Sequence, residues 1–114
     1  MRLAATTISS PRPRRLAEFY SRLLDLPVLV DKDGWVELDG LSFHSAAGYE
    51  PPAWPGEPGR QQMQMHLDIE VDDLAAGVAR AVELGAAVAD FQPQAGVRVC
   101  LDPDGHPFCL FVRD

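Results

Sequence analysis

The chain has 114 residues, 46% of them hydrophobic and 24% charged, which is enough for one domain with a single core. Its formal net charge of -7 argues against nucleic acid or an anionic membrane as the main partner, because both would repel it. Its apolar runs are too short to span a bilayer, and its first residues lack the apolar core of a signal peptide. We therefore expect a cytoplasmic protein whose partner is a small organic molecule or another protein.

The first half of the sequence predicts a strand, a helix and three more strands. The first strand covers residues 2–8, and Ser9 or Ser10 caps a helix whose first turn contains proline. The helix carries one apolar stripe at helical spacing, made of Leu16, Phe19, Tyr20, Leu23 and Leu24. Three short strands separated by Asp-Gly turns follow, over residues 26–30, 35–38 and 41–45.

A loop without periodicity separates this half from the next. Residues 48–62 contain four prolines and three glycines, which favours a crossover between two half-domains. Tyr49 and Trp54 lie within it. Because aromatic side chains seldom stay free in water, they either anchor the loop to the body or form a lid over a ligand pocket.

The second half repeats the order of the first. A strand over residues 65–71 precedes a helix that Asp72 or Asp73 caps and Gly85 ends. Three strands follow, over residues 88–91, 97–101 and 107–112, the last two joined by a polar turn. The segment LLDLPVLV also matches ELGAAVAD at an offset of 60 residues.

A repeat of this kind in so short a chain predicts two βαβββ modules that share one core. We expect a single domain over residues 1–114. Module one covers residues 1–47, the proline-rich crossover loop covers residues 48–62, and module two covers residues 63–114.

Alternation along the strands separates a side that faces the helices from an opposite side. In residues 65–71 the apolar side chains face the helices, so His66 and Asp68 face away. The same rule predicts that Arg98 and Cys100 face away in their strand. The opposite side then collects a mixture of chemical groups typical of a ligand site: Trp35, His44, His66, Asp68, Arg98, Cys109 and Phe111.

Three motifs accompany the repeat: RLAEFYSRLLDLPV in the first helix, HLDIEVDDL at the start of module two, and DPDGHPFCLF at its end. Together they resemble the vicinal oxygen chelate superfamily, and in particular its glyoxalase-like domains, over essentially the whole chain. That superfamily includes glyoxalase I, extradiol dioxygenases, fosfomycin-resistance transferases and bleomycin-binding resistance proteins. The resemblance implies an α+β fold in which two paired βαβββ modules form a curved, eight-stranded, cup-shaped sheet with the helices on the outside.

The metal enzymes of this superfamily place four ligands in the cup, one on the first and one on the last strand of each module. Carried over to this chain, the resemblance implies His66 as the third ligand. The fourth position, a glutamate in the family pattern, is Cys109. The first position falls at Ala5, which cannot bind a metal, and the second falls near His44. These changes favour a metal-independent protein over a metal enzyme.

Two functional hypotheses follow. The first is a metal-independent protein without a cofactor that binds a small organic molecule in the cup through Trp35, His44, Trp54, His66, Arg98, Cys109 and Phe111. The second is a metal-dependent lyase, isomerase or dioxygenase-type enzyme that holds a divalent metal such as zinc at His44, His66 and Cys109. A homodimeric interaction module is a further alternative. We expect Cys100 and Cys109 to be reduced thiols, and a disulfide or redox pair is the last alternative.

Overall fold

A computed structural model describes residues 1–113 of the chain. They divide into two compact units, one over residues 1–50 and one from Pro51 onward. Each unit contains a strand, a helix and three further strands in that order, so the α+β class and the two βαβββ modules are confirmed. Each module has its own four-stranded sheet. Within the described residues, neither helix is long and apolar enough to cross a membrane.

Module one packs its helix on a mixed sheet. Its elements are β1 (Thr6–Ser10), α1 (Pro13–Leu24), β2 (Val30–Lys32), β3 (Trp35–Leu38) and β4 (Leu41–Ser45). The sheet order is β1-β4-β3-β2, with β1 parallel to β4 and the other pairs antiparallel. Tyr20 of α1 stacks on Phe43 of β4 with ring centroids 5.8 Å apart, and both side chains are buried. The predicted apolar stripe of the helix therefore supplies the core of this module.

The start of module one differs from the prediction. β1 begins at Thr6, where pairing with β4 begins, and it continues through Ser10. The N-cap of α1 is Arg12 and makes no side-chain cap bond, so the predicted serine cap is wrong. Ser10 lies two residues before the N-cap, and its Oγ accepts a hydrogen bond from the Arg12 N–H at 2.9 Å.

Module two repeats this arrangement. Its elements are β5 (Leu67–Glu70), α2 (Leu74–Leu84), β6 (Ala87–Val88), β7 (Val97–Leu101) and β8 (Pro107–Phe111), and its sheet order is β5-β8-β7-β6. Asp73 caps α2, since its Oδ1 accepts the Ala76 N–H at 2.8 Å, and Gly85 ends the helix at a φ of 122°. β6 is shorter than predicted. The Gln92 side chain binds the backbone of Ala89 and Val99 there, in place of further strand pairing.

The polar turn between β7 and β8 is built around Asp102. Its carboxylate is buried and accepts the backbone N–H groups of Asp104 at 3.0 Å and His106 at 2.9 Å. The same carboxylate lies 2.8 Å from His106 Nδ1. Three nitrogen atoms of one turn thus contact one carboxylate, which holds the hairpin that leads to Cys109 and Phe111.

Candidate functional site

Parallel pairing brings the first and last strands of module two side by side. Asp68 of β5 pairs with Cys109 of β8. Paired residues of neighbouring strands share a face, so Asp68, Cys109 and Phe111 lie on one side of the sheet. Phe108 and Leu110 lie on the other side and are fully buried. The predicted facing of these two strands is confirmed.

The facing predicted for β7 is wrong. Val99 pairs with Cys109, so Val97 and Val99 share the face of Cys109, while Arg98 and Cys100 face the buried side. Alternation is ambiguous here because both sides of the strand carry apolar groups, and Cys100 is fully buried as a small apolar residue. The Arg98 guanidinium instead donates to the backbone carbonyls of residues 94, 95 and 97 at 3.4, 3.0 and 2.9 Å. Arg98 therefore does not line the cleft on the Cys109 side.

A cleft of about 600 Å³ opens on that side of the module-two sheet. Its walls are mostly apolar and include Trp54, Met63, Val97, Val99 and Phe111. Its polar side chains include His66, Asp68 and Cys109. We call this site the module-two cleft. It contains four of the predicted ligand-binding residues, namely Trp54, His66, Cys109 and Phe111.

Trp54 connects the crossover loop to the cleft. Its indole N–H donates to the Phe91 carbonyl at 3.3 Å, and the two rings lie 5.9 Å apart. Phe91 follows β6, so this contact anchors the loop to module two. Because Trp54 also lines the module-two cleft, the loop is both anchored and part of the site.

His66, Asp68 and Cys109 form a compact polar cluster. His66 Nε2 lies 3.1 Å from Asp68 Oδ1, and one donor atom from each of the three residues lies within 4.8 Å of the others. Burial raises the pKa of the Cys109 thiol, and the charge of Asp68 and a hydrogen bond to it raise that pKa further. The thiol is therefore protonated at neutral pH. An imidazole, a carboxylate and a thiol are nevertheless a donor set that fits zinc, since metal binding deprotonates the thiol.

Trp35 and His44 form a separate cluster in module one. They pair across β3 and β4, with ring centroids 6.5 Å apart. His44 Nε2 lies 2.8 Å from the hydroxyl of Ser9, its pairing partner on β1. A histidine bonded in this way has a structural partner already. The shared site of His44 with His66 and Cys109 stays a prediction.

Comparison with known proteins identifies the family of the chain. A family model described as a glyoxalase-like domain matches residues 5–111. The chain belongs to this glyoxalase-like family. No match was found among curated proteins.

Solved structures share the fold of this glyoxalase-like chain. A glyoxalase/bleomycin resistance protein/dioxygenase family enzyme from Burkholderia phytofirmans PsJN is 16% identical, with a TM-score of 0.76 and 98% of each chain covered. The fosfomycin resistance protein FosX from Mesorhizobium loti is 15% identical, with a TM-score of 0.70, covering 99% of this chain and 92% of its own. TnmS3, an antibiotic binding protein from Streptomyces sp. CB03234, is 21% identical, with a TM-score of 0.55, covering 96% and 95%. The predicted resemblance to the vicinal oxygen chelate superfamily is confirmed.

The sequence patterns do not predict several residues of the module-two cleft and of the His44 cluster. Alternation predicts the correct face for Asp68 but not its place in the cleft, although its spacing of two residues from His66, which directly precedes β5, indicates a pair. Val97 and Val99 were placed on the wrong face, and no signal in the strand distinguishes its two sides. Ser9 was interpreted as a helix cap and instead contacts His44.

Proposed function

We propose that this glyoxalase-like protein binds a small organic molecule in the module-two cleft. The composition of the cleft carries the proposal: two aromatic rings and aliphatic walls surround a few polar groups, as in most small-molecule sites. Its volume of about 600 Å³ suits a compact ring system. An antibiotic binding protein and a fosfomycin resistance protein among the structural neighbours also support a small-molecule ligand.

We further propose that this binding needs no metal. The protonated Cys109 thiol and His66 act as hydrogen-bonding groups, and the apolar walls supply most of the binding free energy. Trp54 and Phe111 are the residues whose rings the ligand contacts.

A thermal-shift screen of small aromatic and carbonyl compounds, with and without EDTA, tests this function. Binders should raise the melting temperature equally in both conditions. The rise should disappear in Trp54→Ala and Phe111→Ala and persist in Trp35→Ala, the matched tryptophan of module one. A screen without any binder, or binders whose effect survives both cleft substitutions, would refute the proposal.

The polar cluster favours a second candidate function, a metal-dependent enzyme. The observation behind it is the 4.8 Å grouping of His66, Asp68 and Cys109. Zinc at these residues would lower the pKa of a bound water to about 7. In this version Asp68 takes the place that the sequence hypothesis gave to His44.

Cobalt titration separates the two candidates, because a cysteine thiolate bound to Co²⁺ produces a sulfur-to-metal charge-transfer absorption. The enzyme hypothesis requires this band, its loss in Cys109→Ser, and its retention in Cys100→Ser. If His44→Ala also lost the band, the metal ligands would instead include His44, with His66 and Cys109. Absence of any band in the wild-type protein would eliminate metal-dependent chemistry at Cys109.

A further inference from the structure

The module-two cleft has an uneven charge. Among the described residues that line it, Asp68 is the one acidic side chain, and none is lysine or arginine. The chain as a whole carries a net charge of -7, which adds to the same field. His66, which contacts Asp68 at 3.1 Å, is the one described lining side chain that can carry a positive charge, so a ligand with an anionic group would meet Asp68 with no lysine or arginine in the cleft to compensate.

The two arginines nearest in sequence to the cleft strands are engaged elsewhere. Arg98 faces the buried side and donates to backbone carbonyls. Arg113 lies 5.5 Å above the Phe111 ring, where its Nε donates to Glu70 at 3.1 Å. Glu70 thus balances the charge of Arg113, and neither arginine pairs with the Asp68 carboxylate, which lines the cleft.

Asp68 has room for a further hydrogen-bond donor. Its carboxylate contacts His66 at 3.1 Å and accepts a hydrogen bond from the Cys109 thiol, yet its side chain remains 62% exposed. A carboxylate can accept about four hydrogen bonds, so two partners leave capacity for a third. The ammonium group of a ligand can therefore donate a hydrogen bond to the Asp68 carboxylate.

The aromatic walls favour the same kind of ligand. The face of an indole or phenyl ring attracts a cation and also stacks on a planar ring. Trp54 and Phe111 both line the cleft that contains Asp68. One molecule with a flat ring and a short protonated amine satisfies the walls and the carboxylate together.

From these observations we infer that the module-two cleft selects aromatic amines, with Asp68 as the residue that binds the ammonium group. The inference rests on the proposed function, because it specifies the class of ligand for the same cleft. Asp68 sets the preference for charge, and Trp54 and Phe111 bind the ring.

Three indole derivatives of similar size test this preference: tryptamine, tryptophol and indole-3-acetate, which carry a positive, a neutral and a negative side group. Their dissociation constants are measured by calorimetry at pH 7 in low salt. Because Asp68 is exposed, tryptamine should bind about fivefold more tightly than tryptophol, and indole-3-acetate more weakly than both. The preference should shrink in high salt, where exposed charges are screened.

Substitutions connect the preference to Asp68. In Asp68→Asn the three compounds should bind within about twofold of one another. Asp39→Asn makes the same change in net charge on an exposed turn of module one and should keep the wild-type order.

Each other outcome counts against the inference in a different way. Equal binding of all three compounds would overturn the charge preference and leave the proposed function standing. Tightest binding of indole-3-acetate would assign control to Arg113 and overturn the role of Asp68. Failure of all three compounds to bind would overturn this inference, while the thermal-shift screen with Trp54→Ala and Phe111→Ala decides the proposed function separately.

Discussion

Replacement of Asp102 tests how the hairpin before Cys109 is held. The Asp102 side chain is fully buried and accepts two backbone N–H groups and the His106 ring N–H. A hydrogen bond to a charged group contributes about 1.5–3 kcal/mol, and a buried donor left without an acceptor adds a further cost. Since the lost bonds share one carboxylate, Asp102→Ala should lower the free energy of unfolding by about 3–5 kcal/mol.

Asp102→Asn should lie between the wild type and the alanine variant. Its amide oxygen can still accept a backbone N–H, but the charge opposite His106 is gone, so we expect a loss of about 2 kcal/mol. Asp39→Ala is the matched control. Asp39 occupies the corresponding turn between β3 and β4, where it is exposed, and no side-chain hydrogen bond of Asp39 is seen in residues 1–113.

Urea denaturation followed by circular dichroism measures all three variants. The urea concentration at the midpoint should fall in the order wild type, Asp102→Asn, Asp102→Ala. The slope of the free energy of unfolding against urea concentration should stay the same. Asp39→Ala should stay within about 0.5 kcal/mol of the wild type. If Asp102→Ala differed from Asp39→Ala by less than about 1 kcal/mol, the buried carboxylate would not be what holds the turn.

Three further predictions concern Cys109 and helix α2. Because burial and Asp68 raise the pKa of Cys109, the rate of its alkylation by iodoacetamide should rise only above the usual pH range for cysteine. Asp68→Asn should move the midpoint of this pH–rate curve to lower pH. An unchanged midpoint would show that Asp68 does not raise the pKa. The same raised pKa predicts a small loss of stability as the pH rises through the ordinary thiol pKa, since the unfolded chain ionises first. Gly77→Ala should lower the thermal midpoint of unfolding, because the added Cβ would lie 2.9 Å from Val71 Cγ1. The crowding costs about 1–3 kcal/mol, which exceeds the gain of about 1 kcal/mol in helix propensity. A higher thermal midpoint in Gly77→Ala would show that the Val71 side chain shifts to make room for the added Cβ at little cost.

Three strands bounded by turn residues match their predicted bounds, whereas the strand predicted at residues 26–30 lies at Val30–Lys32. Trp35–Leu38, Leu41–Ser45 and Val97–Leu101 match their predicted bounds because Asp, Gly or Pro punctuates the chain at their ends. β6 was not predicted correctly, because the Gln92 side chain occupies the backbone groups that a longer strand would use.

The site was harder to predict than the strands. Alternation placed His66 and Cys109 on one face, but their proximity to Asp68 depends on the register of β5 against β8, which a single sequence does not specify. For β7, alternation pointed to the wrong side, because Cys100 packs as an apolar residue and Arg98 finds its partners in the backbone. The resemblance to a family was therefore enough to predict the fold. The role of each side chain depends on its local contacts, which the sequence alone does not specify.

The parallel contact between β5 and β8 has a consequence for the order of folding. These strands come first and last in module two, so Asp68 and Cys109 meet only after the helix and the two intervening strands have left the ribosome. Contacts of such long sequence separation cost loop-closure entropy, which slows folding. The cleft therefore cannot form until module two has been synthesised through β8, and a molecule that binds it recognises the completed module.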